Sequence, residues 1–170
     1  AFGQWWLEAD WLDKGRRAGR VAPRGQAGAR LMIVVPEPER EDRQTLLSGP
    51  DGELLAAMLR AMGLSESETY FASVLPRHTP GADWNQIAAD GLGAVLAHHI
   101  GLVGPERLAV FGGNILPLVG NAPPQGAADL RIFNHEGSSL PLLAAHSFSA
   151  LRSRPRSKAR LWRAWLDWTA

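Results

Sequence analysis

The chain has 170 residues, of which 45% are hydrophobic and 21% charged, and a formal net charge of +1 at pH 7. That is enough chain for one domain with a real core, and the composition is globular rather than disordered. With no cysteine in the chain, disulfides, thiol nucleophiles and Cys-ligated zinc or iron–sulfur centres are excluded; no apolar run reaches the roughly 18 residues of a membrane helix and no signal peptide is visible, so a cytoplasmic protein with no membrane partner, monomeric by default, is expected.

Residues 1–12 read as a short helix carrying Trp5, Trp6 and Trp11, with Leu7 and Leu12 completing an apolar face. Such tryptophans are packing residues or the wall of a groove for a protein partner. Residues 14–28, rich in Gly, Ala, Pro and Arg, read as a mobile connector. Residues 1–30 are therefore expected as an N-terminal appendage and 31–170 as the domain. Lys14, Arg16, Arg17, Arg20, Arg24 and Arg30 follow one another without an acidic residue, and a second basic run comprises Arg152, Arg154, Arg156, Lys158, Arg160 and Arg163. In a nearly neutral protein two such runs are either solvated surface or a surface that tracks phosphates.

The stretch 31–55 organises the rest. Leu31 to Val35 form an apolar run of strand length, a dense polar turn follows, and Gly49, Pro50 and Gly52 precede an apolar helix over 51–62 that stops at Gly63. A second strand is expected at 70–75, ended by Pro76, and a longer helix at 84–100. The third strand falls at 107–111, and Gly112-Gly113-Asn114 leads into a short helix through Val119. A loop is expected at 121–128, an edge strand at 130–133 and a core strand at 140–145. A closing helix over 157–168 is capped by Ser157 and turns Leu161, Trp165 and Trp168 inward. Strands alternating with helices predict an α/β sandwich on a parallel sheet, with sites at the carboxyl ends of the strands.

Three strand ends carry polar groups able to converge: Glu37 to Asp42, Ser73 to His78, and His146-Ser147. His146 directly follows a buried strand and is the leading candidate histidine. His98 and His99, late in a helix, read as surface residues or partners of its dipole, and His135 has no metal spacing. The carboxylates Glu37, Glu39, Glu41 and Asp42 alternate with Arg40 and Arg43, which favours a solvated, salt-linked loop over a metal site. The Gly112-Gly113-Asn114 turn has the form of a phosphate cradle but lacks the rest of any Walker or dinucleotide motif.

The blocks VVPEPEREDRQTLLSGPDGELL, YFASVLPRHTP, PERLAVFGGN and LPLLAAHSFSALRSRPRSKARLWRAWLDW resemble, in order and spacing, the uracil-DNA glycosylase superfamily, nearest its bacterial and archaeal iron–sulfur branch. The resemblance covers roughly residues 31–168. EDRQ at Glu41–Gln44, the Gly49–Leu55 run, Tyr70–Arg77 against a YITNVVKCRP strand, and His146–Arg152 against an HPSxLLR motif carry it. It implies a three-layer α/β/α sandwich on a central, mainly parallel four-stranded sheet. It also implies DNA as partner and excision of a flipped uracil or other damaged base by hydrolysis of its N-glycosidic bond. His146 would hydrogen-bond the departing base and Glu37, on the loop 35–38, would position the water. Pro36, Asp42, Leu47 and Ser73 would form the base pocket, Leu47 standing where the family stacks an aromatic ring and Ser73 where it has an asparagine. Arg77, Ser147, Ser149, Arg152, Arg154, Arg156 and Lys158 would contact DNA. Without cysteines the branch's iron–sulfur cluster is not expected, nor any other cofactor or metal. The alternative is a catalytically degenerate module of the same fold that binds nucleic acid or a repair or replication partner.

Overall fold

The computed structural model describes residues 1–121, 124 and 128–169. Its sheet has five strands: β1 (Leu31–Val35), β2 (Thr69–Ser73), β3 (Arg107–Phe111), β4 (Ala128–His135) and β5 (Ser138–Ala145), in the order β2-β1-β3-β5-β4. The first four of that order run parallel, and β4 is antiparallel at the edge. The expected count of four is thus one short. The edge strand expected at 130–133 is eight residues long and forms a hairpin with β5. Glu136 and Gly137 both have positive φ, 48° and 79°, as a two-residue hairpin turn matched to strand twist requires.

Successive strand residues point to opposite faces, and this sorts the core into two layers. Leu31, Ile33, Val35, Ala109 and Phe111 pack with α2 (Pro50–Met62), α5 (Phe148–Arg152) and α6 (Pro155–Thr169). Met32, Val34, Leu108 and Val110 pack on the other face with α4 (Leu92–Val103) and with Trp6 of α1 (Phe2–Glu8). Residues 84–103 are not one helix. α3 (Trp84–Ala89) stops at Asp90, and Gly91 at φ 90° turns the chain into α4. α6 begins at Pro155 rather than at a Ser157 cap, proline being favoured where a helix start has no acceptor for its N–H. Most of the loop expected at 121–128 lies outside the described residues.

Residues 1–30 are tied into the domain rather than appended to it. Trp6 is buried and donates from its indole to the Val21 carbonyl at 3.0 Å. Arg20, 6% exposed, donates to the carbonyls of Trp6, Ala9, Leu12 and Arg16. Arg24 exchanges both backbone hydrogen bonds with Phe71, closing the outer edge of β2, and its guanidinium lies 3.9 Å over the Phe71 ring. Gly25 makes this approach possible, since a Cβ there would stand 2.8 Å from the Thr69 carbonyl oxygen and the Tyr70 Cα. Among the described residues no helix is long and apolar enough to cross a membrane.

Candidate functional site

β1 leads to α2 on one face and β2 on one side, whereas β3 returns on the other side after α3 and α4. Beyond the carboxyl ends of β1 and β3 the connections part, and an open sheet leaves a crevice there. A cleft of about 530 Å³ occupies this place. Val35, Phe111 and Phe148 underlie it, the two phenylalanine rings stacked at 4.4 Å. Its walls come from the loop after β1 (Pro36 to Glu41), the start of α2 (Pro50, Asp51), the loop 78–82, Asn114, and the start of α5 (Ser147, Ser149) with Arg152.

The loop after β1 is built by its own carboxylates. Asp42, 5% exposed, accepts from the backbone N–H groups of Glu39, Leu47 and Ser48, each at 2.8 Å, and from the Ser48 hydroxyl at 2.6 Å. Glu39 accepts from the N–H groups of Gly49, Asp51 and Gly52 and so caps α2. The arginines do not pair with these acids: Arg43 donates to the carbonyls of Arg40 and Asp42. The salt-linked loop expected from the charge pattern is an amide-linked one. Gly52 lets it close, because a Cβ there would lie 1.9 Å from the Leu47 carbonyl oxygen.

Glu37 is differently placed. It lines the cleft, accepts from the Thr79 N–H at 3.2 Å, and has His78 Nδ1 at 3.1 Å from Oε1. Burial raises its pKa, while the Thr79 N–H and His78 pull the other way. His78 Nδ1 also lies 2.9 Å from the Pro38 carbonyl oxygen. Across the cleft, Arg152 pairs with Asp51 at 2.5 Å; burial raises the Asp51 pKa against that pairing, and Glu39 and Glu41 add to the rise.

Of the residues expected in the site, Glu37, Pro36, Ser147, Ser149 and Arg152 line the cleft. Four do not. His146 is half-buried at the end of β5 and outside the lining. Asp42 is spent on the loop backbone. Leu47, held at φ 59° by the bond to Asp42, is buried in the core beneath α2. Ser73 is buried and donates to the Leu75 carbonyl at 2.6 Å. Arg77 is turned toward the N-terminal segment, where it pairs with Asp13. Ser147 accepts from the Ala150 N–H and caps α5 as well as lining the cleft. Arg154, Arg156 and Lys158 are exposed around the start of α6.

His78, which closes the second of the three polar strand ends, has no role in the reading by motif, yet it is the histidine that lines the cleft. Its signal was a histidine between Pro76 and Pro80 just past a buried strand, the same kind of position that singled out His146. His99 is not a surface residue either. It is buried, stacked on Phe2 at 3.9 Å and 2.7 Å from the Tyr70 hydroxyl. Burial lowers its pKa to about 4, with His98 adding to the effect, and pushes Tyr70 up to about 12. Among the described residues no group of three His, Asp or Glu side chains is arranged to hold a metal ion.

The fold and cleft define an open α/β protein with a Glu–His pair at the carboxyl ends of its parallel strands. A scan against protein-family models finds none that matches this chain, and no curated protein matches it.

Proposed function

We propose that this chain is a uracil-DNA glycosylase-like N-glycosidic hydrolase, acting on uracil or another damaged base flipped out of DNA. The observation that carries the reading is Glu37, a half-buried carboxylate facing a strand-end cleft of about 530 Å³, a volume in the range of small-molecule sites. Cleavage of a glycosidic bond leaves positive charge on the sugar, which a desolvated carboxylate stabilises more strongly than one in water. Val35 and Phe111 give the cleft an apolar underlayer, and Asn114 in its wall offers an amide to the edge of a base. The flanking phosphates have a complement at the rim. Arg152, paired with Asp51, lines the cleft, and Arg156 and Lys158 stand in the first turn of α6, which holds no acidic residue. There the helix dipole is already positive, so these cations do nothing for the helix and favour a polyanion.

The test is base release from single- and double-stranded oligonucleotides carrying one uracil or one other damaged base, read as alkali-labile sites on a gel. Cleavage that falls at least about 100-fold in Glu37→Gln supports the reading. Absence of cleavage by the wild-type chain on both strands rejects it. A second reading, a non-catalytic module of the same fold, has its own support. Leu47, Asp42 and Ser73, the residues expected to hold a base, are turned into the core and the loop backbone, while Trp5 and Trp11 remain 36% and 54% exposed. Binding of the oligonucleotide without cleavage favours that module.

A further inference from the structure

Pro38 O can only accept a hydrogen bond, so the 2.9 Å contact puts the ring proton of neutral His78 on Nδ1. Glu37 Oε1, 3.1 Å from the same nitrogen, is a second acceptor for that proton. Nε2 is then the basic atom of the ring, and among the described residues it has no hydrogen-bond partner. The ring lines the cleft, and its side chain is 36% exposed. A carboxylate behind Nδ1 and a bare Nε2 in front is the arrangement that makes a histidine a proton acceptor.

We propose that His78 is the general base of this cleft, its Nε2 taking a proton from the hydrolytic water while Glu37 orients the ring and stabilises the imidazolium. The proposal rests on the reading of the cleft as a glycosidic hydrolase. In the step, the water oxygen bonds to C1′ of the deoxyribose and the C1′–N bond breaks, its electron pair leaving with the base. The water proton passes to Nε2 and from there to solvent or to the departing base anion, so the products are the free base and an abasic sugar. The other charged groups lining the cleft are Glu39, Arg40 and Glu41 of the loop after β1, Asp51 of α2 and Arg152 of α5. Glu39 is held by three backbone N–H groups and Asp51 by Arg152, so Glu37 is the carboxylate in contact with the ring.

His78→Asn tests the proposal, because an asparagine amide can keep the hydrogen bond to the Pro38 carbonyl but is not a base. General-base action predicts a fall in uracil release of about 10²–10⁴-fold in His78→Asn. It also predicts partial rescue of His78→Ala by added imidazole, and no such rescue of the wild type. Unchanged release by His78→Asn while the wild type is active overturns the proposal and leaves the hydrolase reading standing. A wild type that releases no base from either strand overturns the reading and the assignment of the base with it. Nitrogen-15 NMR of the imidazoles reads the pair without any activity. A neutral ring protonated at Nδ1 is expected; a neutral ring protonated at Nε2 overturns the proposal.

Discussion

Arg20 is the tie whose loss should be felt most in the first thirty residues. Its guanidinium donates to four carbonyls, of Arg16 at 2.7 Å, Trp6 at 3.1 Å, Ala9 at 3.0 Å and Leu12 at 2.7 Å. It satisfies the carboxyl end of α1 and the 3₁₀ turn that follows. Burial lowers its pKa, yet an arginine stays charged, so the cation is held by carbonyl dipoles. Arg20→Met keeps much of the stem and removes all the donors. The Trp6 and Leu12 bonds are buried, and those carbonyls would be left without water at roughly 1–3 kcal/mol each. The Ala9 and Arg16 carbonyls are partly buried and recover some hydration. The expected loss is about 3–5 kcal/mol, a large part of the roughly 5–15 kcal/mol that holds a domain. Urea unfolding followed by tryptophan fluorescence measures it, with Arg20→Lys expected between wild type and Arg20→Met. A loss under about 1 kcal/mol for Arg20→Met would refute the claim that residues 1–30 belong to the cooperative core.

Gly52→Ala drives a Cβ into the Leu47 carbonyl, so the loop after β1 must open; thermal denaturation should show a loss of at least about 2 kcal/mol. His99 has a folded-state pKa of about 4, below the ordinary value of 6.5, so the unfolded chain takes up its proton first as pH falls. Its contribution is complete above pH 6.5 and is lost between 6.5 and about 4, on the order of 3 kcal/mol. Urea midpoints measured at pH 7 and pH 4.5 should therefore converge in His99→Leu relative to wild type. Gly137→Ala places a Cβ at φ 79° in the β4–β5 hairpin and should cost about 1 kcal/mol in the same assay.

Patterns of neighbouring residues made much of the fold legible. Leu31–Val35 and Arg107–Phe111 are five-residue strands where the apolar runs placed them, and α2 ends at Gly63 in the left-handed conformation that a glycine stop implies. The misses came from contacts distant in sequence. Arg24 and Phe71 are 47 positions apart, so nothing local shows that the arginine-rich segment completes a sheet edge. β4 carries exposed Leu130 and Ile132, so its alternation does not announce a buried face, and only pairing with β5 reveals its full length. In the cleft, Glu37 was legible as an acid at a strand end. Its partner lies 41 residues away on a loop after β2 with no periodicity to report it, and the more obvious strand-end histidine, His146, drew the assignment.

The same physics explains why a loop with four carboxylates yields one candidate for chemistry. Glu39 and Asp42 are each surrounded by backbone N–H donors, which disperse their charge into the loop and the start of α2. Asp51, brought up beside them, is balanced by Arg152. Glu41 is exposed and screened by water. Glu37 has one backbone donor and a histidine, and burial holds its pKa up rather than down. A carboxylate that is desolvated but incompletely paired keeps capacity to answer a charge arriving in the cleft, whereas one with three amide bonds has already used it. Adding a donor should therefore weaken this site. A Pro36→Lys change, which places an ammonium on the same wall, should lower the Glu37 pKa. The shift is readable by NMR titration of the carboxyl group, and a Glu37 pKa that stays put would show that this carboxylate has no capacity left to answer a new charge.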